Sequence, residues 1–367
     1  MKKYDCLIIG GGAMGLSAAY YLSNKKIKTL CFEQFALGHS KGSSHGQTRA
    51  FHYGYSDNPD FIPLLQQAEK QWRLLQDQTG LPILNLCGKL EIHNNLNIKK
   101  IKSINKQYNI NIDIIDKFSD LSNQFKYFNF QKNHIGIFEP NAGFIDINAA
   151  QKAFTTTNPY YCYYNDNEMV IDWESKHNTI TLKTNKNVYL ASHLVITPGS
   201  WHEVIKYPIN QIKRIQKVLC WYNIKSNHSS DFSNMPIFGF NTDTGFFYGF
   251  PPYRGQIKIA RHTGGDEIKT PTELGLKSSA EEINAITIFS KKNLNGIELK
   301  PNNIKHCLYT KTLDSNFIID RHPKFDNVVF AVGFSGHGYK FTPAIGIALT
   351  NLIIGEKNDH IKNFRIK

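Results

Sequence analysis

The first 33 residues alternate between apolar runs and punctuation in a way that predicts four elements. Tyr4 to Ile9 is a short apolar run, expected as a buried strand, and Gly10 to Gly15 is a tight turn. Ala13 to Asn24 is expected as a helix, and Lys28 to Phe32 as a second strand ending on Glu33. Further on, Phe61, Leu64, Leu65, Ala68, Trp72 and Leu75 recur at helical spacing, which predicts a helix over Pro59 to Gly80 with these residues in the core.

The following pattern is mixed. Leu84 to His93 reads as one strand, Asn97 to Tyr108 as a basic surface helix, and Gly136 to Phe154 as a loop entering a helix capped by Asp146 or Asn148. Glu168 to Glu174, Thr179 to Thr184 and Val188 to Thr197 read as strands, the last running into Pro198–Gly199. From Ile212 to His262 the runs shorten and alternate between turn signals, as in an antiparallel sheet. Thr272 to Leu294 reads as a helix, and Lys305 to Thr312, Asn316 to Asp320 and Asn327 to Val332 as strands. The last feeds a second glycine-rich turn, Gly333 to Lys340, and a second apolar helix.

The layout is an interleaved α/β chain. Segments 1–80, 145–210 and 315–367 are expected to form a discontinuous nucleotide-binding domain, and 81–144 and 211–314 a substrate domain. The first turn carries G-x-G-x-x-G as Gly10, Gly12 and Gly15, for the turn, close approach to a pyrophosphate and helix–strand packing respectively. Phosphates are expected at the helix N-terminus, where free amide donors and the helix dipole favour anions. Glu33 follows Gly15 by 18 residues, near the distance expected of a carboxylate that binds ribose hydroxyls. Two strand–glycine–helix units brought to one site imply a cofactor larger than a nicotinamide nucleotide, which FAD fits.

Composition narrows the partners. The net charge of +13 invites a nucleic-acid reading, but the lysines form no stripe or tail, so no such partner is expected. An attraction for anionic small molecules remains. Six scattered cysteines without a C-x-x-C pair argue against a zinc site and a disulfide framework. The two lysines and apolar run at the start imitate a signal peptide, but the apolar part is the strand and turn of the nucleotide unit. With no run long enough to span a bilayer, a cytoplasmic protein without membrane partners is expected.

Several stretches carry a specific resemblance: GSSHGQTR (Gly42 to Arg49), EPNAGF (Glu139 to Phe144), YGFP with IKIARH (Tyr248 to Pro251, Ile257 to His262) and the closing block from Cys307 to Phe341. Through them, and essentially end to end, the chain resembles the monomeric sarcosine oxidase and N-methyl-L-tryptophan oxidase family of covalent flavoproteins. The resemblance implies an FAD-binding Rossmann-like domain of the glutathione-reductase/D-amino-acid-oxidase type, interleaved with an antiparallel substrate domain, in a monomer. It implies oxidation of a secondary amino acid by oxygen. Pipecolate or glycated amino acids are alternative substrates, and a NAD-dependent dehydrogenase or a non-catalytic dinucleotide-binding protein are alternative readings.

By the same resemblance Cys307 bonds covalently to FAD, Lys258 activates oxygen beside it, and Lys340 contacts the substrate carboxylate. Tyr248 and Tyr309 line the substrate cavity, while His45, Arg49 and His262 belong to the active site. Gly333, Gly336 and Gly338 form the turn whose following helix faces the flavin. The chain departs from the family at His52, where a second arginine is usual. Histidine carries a charge that titrates near neutrality, so a weaker and more pH-dependent hold on the carboxylate, or another substrate, is expected there.

Overall fold

A computed structural model of the chain describes residues 3–156, 160–209, 212–226 and 232–366. Its first sheet has a parallel centre in which Cys162–Asn165, Thr29–Phe32, Lys3–Ile9, Val188–Ile196 and Phe325–Val332 lie side by side. Antiparallel strands flank it: Thr179–Thr184 and Val170–Lys176 beside the start of Val188–Ile196, and Ile318–His322 beside Phe325–Val332. All five parallel strands end at one edge, so Gly10, Glu33, Thr197 and Gly333 emerge together. In open parallel sheets that carboxyl edge is where ligands bind.

Helices Ala13–Asn24, Thr342–Ile354, Phe61–Thr79 and Ile147–Thr156 cover one face through a continuous apolar core. The two glycine-led helices touch directly: Ser17 Oγ donates to the Thr342 carbonyl at 2.9 Å, and a Cβ on Gly346 would overlap Ser17. The first turn and its helix therefore stand as the sequence predicts, with Gly15 pressed against the Gly10 carbonyl.

The second sheet runs Asp266–Ile268, Lys213–Asn223, Gln256–Arg261, Gly245–Gly249, Ile237–Thr242, Lys89–His93, Ile135–Glu139 and Asp113–Ile115, with Asn303–Lys311 also paired to Lys213–Asn223. Helix Ala280–Asn293 closes its aromatic core, where the Phe247 and Phe289 rings stack at 4.4 Å. The pairing is antiparallel except between Lys89–His93 and Ile237–Thr242, which run parallel.

Three predicted elements are corrected. Leu84 to His93 is two strands, broken before Gly88 at φ +79°: Leu84–Asn85 joins a small third sheet and Lys89–His93 the second. Gly136 to Phe154 is not a loop entering a helix but the strands Ile135–Glu139 and Gly143–Asp146, after which Asp146 caps the helix by accepting from Ala149 N–H at 2.9 Å. The helix expected from Thr272 begins only at Ala280; Pro271–Glu273 is a separate turn closed by a Thr270–Glu273 capping box. The polar, Gly/Ser/His-rich stretch 36–55 after Glu33 also contains a strand not predicted above, Thr48–Phe51, which pairs with Gly143–Asp146.

Candidate active site

A cavity of about 800 Å³ runs from the carboxyl edge of the first sheet to one face of the second. At one end lie Gly10, Gly12 and Glu33; at the other lie Arg49, His52, Tyr248, Lys258, His262, Cys307, Tyr309, Gly336, Gly338 and Lys340. Gly10 has φ +97°, and a Cβ there would overlap the Thr197 carbonyl, so only glycine lets the strand turn this sharply into the helix. The Glu33 carboxylate accepts from the N–H groups of Gly11 and Phe35, both at 3.0 Å, which fixes the acid at the mouth of the turn. Ser44, from the polar stretch, accepts from Ala13 N–H at 3.0 Å and closes the side of the turn.

The other end is built from facing strands. Of the cysteines, Cys307 alone among the described residues lines the cavity; burial pushes its thiol pKa up, against the pull of Arg49, Lys217 and Lys258. Tyr309, two residues on and therefore on the same side of its strand, approaches His262 Nδ1 at 3.4 Å. Burial, then Lys217 and Lys340, lowers His262 to about 4, so it is neutral at physiological pH. The Tyr248 ring completes this wall 6.4 Å from His262.

Lys258 is 4% exposed, and its Nζ donates to the carbonyl oxygens of Gly46 and Thr48 at 2.9 and 2.6 Å. Those acceptors favour the ammonium form, while burial and Arg49 hold its pKa well below the usual lysine value. Arg49 donates to the Ser43 carbonyl at 2.7 Å and lies 5.7 Å from the Tyr339 ring. Lys340, equally buried, donates to the His337 carbonyl at 3.2 Å; burial, then Lys89, brings it down to about 7.

Three predicted residues lie outside the cavity wall. Gly15 packs the helix, and Gly333 ends its strand against Thr312. His45 is buried behind the loop with neither ring nitrogen hydrogen-bonded to a described residue, and burial, then Arg49, lowers it to about 4.

His52 lines the cavity but does not hold the expected titrating charge. Its Nδ1 accepts from Gly54 N–H at 3.2 Å, and burial, then Lys89, keeps its pKa well below the normal range. Sequence reading also missed Lys89 and Glu91, which face the cavity while Leu90 and Ile92 fill the core. Their alternation was the available signal, but the same pattern describes a strand with a solvated face.

The family model for FAD-dependent oxidoreductases matches residues 5–352. The chain belongs to this family. Its relatives include the monomeric sarcosine oxidase of an Arthrobacter strain, 29% identical with 98% of this chain and 94% of the relative covered. The peroxisomal sarcosine oxidase of Mus musculus is 30% identical, covering 95% and 92%, and an N-methyl-L-tryptophan oxidase of Salmonella dublin is 28% identical, covering 96% and 95%. Among solved structures, NikD, an amino acid oxidase of nikkomycin biosynthesis, superposes with a TM-score of 0.87 at 16% identity over 100% of this chain and 98% of its own. The glycine oxidase of Bacillus cereus gives 0.79 at 17% identity, over 99% and 98%. These two establish the shared fold.

The residues present fit FAD. The Gly10 turn lies at the helix N-terminus, where a Cβ on Gly11 would run into the Glu33 side chain, and Glu33 stands at the next strand end on the cavity wall. The cavity continues without a break to Cys307 and Lys340.

Proposed function

We propose that this FAD-dependent oxidoreductase is an amine oxidase of secondary, N-methyl amino acids, of the sarcosine or N-methyl-L-tryptophan type. The observation that carries this reading is the single cavity joining the Gly10 turn to Cys307, Lys258 and Lys340. The names of relatives that span nearly the whole chain point the same way. Segments 1–80, 145–210 and 315–367 serve the cofactor, and 81–144 and 211–314 the substrate.

In this reading the Gly10 turn would hold the pyrophosphate, Glu33 the ribose, and Cys307 the flavin, covalently through its thiol sulfur. FAD, when bound, supplies a two-electron acceptor for the amine and returns the electrons to oxygen as hydrogen peroxide. The Tyr248, His262 and Tyr309 wall excludes water from the amine, and neutral His262 does not repel it. Lys340 orients the substrate through its carboxylate. Lys258 places positive charge where oxygen is reduced, with Gly46 and Thr48 keeping the ammonium aimed. The oxidised substrate is an imine, which water converts to formaldehyde and the demethylated amino acid.

The test is a peroxide-coupled assay on sarcosine, N-methyl-L-tryptophan, pipecolate and a fructosyl amino acid. Turnover of an N-methyl substrate with one formaldehyde per peroxide is expected. Turnover of pipecolate or the fructosyl compound alone would move the reading to a neighbouring oxidase, and no peroxide from any of them would overturn it.

A further inference from the structure

The strand Lys89–His93 turns Lys89 and Glu91 towards the cavity. Lys89 is 6% exposed; its Nζ is paired with the Glu91 carboxylate and lies 3.3 Å from His52 Nδ1. A backbone N–H can only donate, so the Gly54 bond to the same Nδ1 makes that nitrogen an acceptor and leaves the ring proton on Nε2. The His52 ring stacks on Tyr55 at 5.7 Å and 8°, and the Tyr55 ring lies 5.2 Å from Lys340 Nζ. Two buried lysines thus flank one stacked pair on the same cavity wall.

Both have donors to spare. Among the described residues Lys89 Nζ has two partners and Lys340 Nζ one, of the three that each ammonium can serve. Two buried carboxylates lie beside them. Glu91, despite burial that works the other way, is pulled down to about 2 by Lys89 and His93 and is ionised. Glu139, whose Oε1 accepts from Tyr53 N–H at 2.7 Å, is pushed up to about 7 by burial, against Lys89. Lys340 and Glu139, both near 7, are each partly charged around neutrality, so an anionic ligand would take up the spare donors of Lys89 and Lys340 and favour the protonated form of Lys340 and Glu139.

We propose that Lys89 is a second cationic anchor for the substrate carboxylate, acting with Lys340, while neutral His52 offers its Nε2–H between them. This rests on the amine-oxidase reading and deepens it. The enzyme would select amino carboxylates over secondary amines that lack a carboxylate, and that choice would be made from the second sheet rather than from position 52.

The experiment separates carboxylate binding from turnover. Propionate, which has a carboxylate and no amine, is titrated into the holoenzyme and followed by flavin absorbance. Lys89→Met is expected to weaken propionate by about tenfold or more, and to raise KM for the N-methyl amino acid by a similar factor. The matching N-methyl amine without a carboxylate should be unaffected. Lys89→Gln keeps a donor for Glu91 and covers the case in which Lys89→Met does not fold; Lys89→Arg should retain most of the affinity. Unchanged propionate binding in Lys89→Gln, or none by the wild-type protein, overturns the assignment of Lys89. Propionate binding that depends on Lys89, with no amine oxidised, would instead overturn the amine-oxidase reading.

Discussion

Lys258 Nζ lies 2.6 Å from the carbonyl oxygen of Thr48, so a lysine on the second sheet fixes the start of the strand Thr48–Phe51 that carries Arg49. A second bond to Gly46 makes the contact bidentate. Lys258→Met would remove one of two donors from each carbonyl, since Thr48 N–H also donates to Gly46 at 2.9 Å and Arg49 to Thr48 at 3.0 Å, so the stability cost should be only about 0.5–1.5 kcal/mol per bond. It would also remove the charge proposed to act on oxygen. Stopped-flow measurements should show reoxidation of the reduced flavin slowed on the order of 10²–10³-fold, the range for losing one preorganised donor, with anaerobic reduction affected far less.

Gly336 sits at φ +82°, and a Cβ there would overlap the Tyr309 ring. Gly336→Ala therefore combines backbone strain with a clash against a cavity-lining side chain. A loss of about 1–3 kcal/mol is expected from the strain, seen as a lower thermal midpoint of the holoenzyme. KM should rise because Tyr309 has to move.

Cys307 is the cavity's own thiol among the described residues. Acid precipitation of the wild-type protein should leave the yellow colour in the pellet, and Cys307→Ser should release it to the supernatant. Colour in the wild-type supernatant would mean that the flavin is not covalently held.

Binding of propionate should weaken as pH rises through about 7. Lys340, brought down to about 7 by burial and Lys89, attracts a carboxylate only while protonated. Glu139, pushed up to about 7, gains negative charge over the same range and adds to the loss. Of the other titratable groups facing Lys340, His337 and His262 are lowered to about 3 and about 4, His52 well below its normal range, and Tyr55 is raised well above its own, so all four stay neutral throughout. A Kd series from pH 6 to 9 checks this, and a flat profile would exclude Lys340 from the carboxylate site.

His52→Arg alone should not improve the site. It removes the acceptor of Gly54 N–H and sets a guanidinium beside Lys89, whose Nζ is 3.3 Å from the present ring. Propionate affinity should fall in the single variant and recover when Lys89→Met is added, a coupling that a double-mutant cycle reads directly.

The strand, turn and helix at Lys3 to Asn24 were legible because their determinants are local: an apolar run, three glycines and a helical stretch. The resemblance likewise located Cys307, Lys258 and Lys340, all of which line the cavity. The polar stretch around Arg49 was harder to read. It becomes a strand at Thr48–Phe51 only because Gly143–Asp146, nearly a hundred positions later, pairs with it.

What the amino-acid sequence determined by itself was the nucleotide turn, the acid at Glu33 and the alternation of apolar and polar positions, since each depends on neighbours a few residues away. Tertiary structure alone decided what the polar positions face. Lys89 and Glu91 look like any solvated strand face until His52, Gly54 and Lys340 are brought against them in the cavity. His52 looks like a titrating residue until burial and Lys89 keep its ring neutral. Burial and the charges that come with it are properties of the assembled fold, and they set the chemistry of the site.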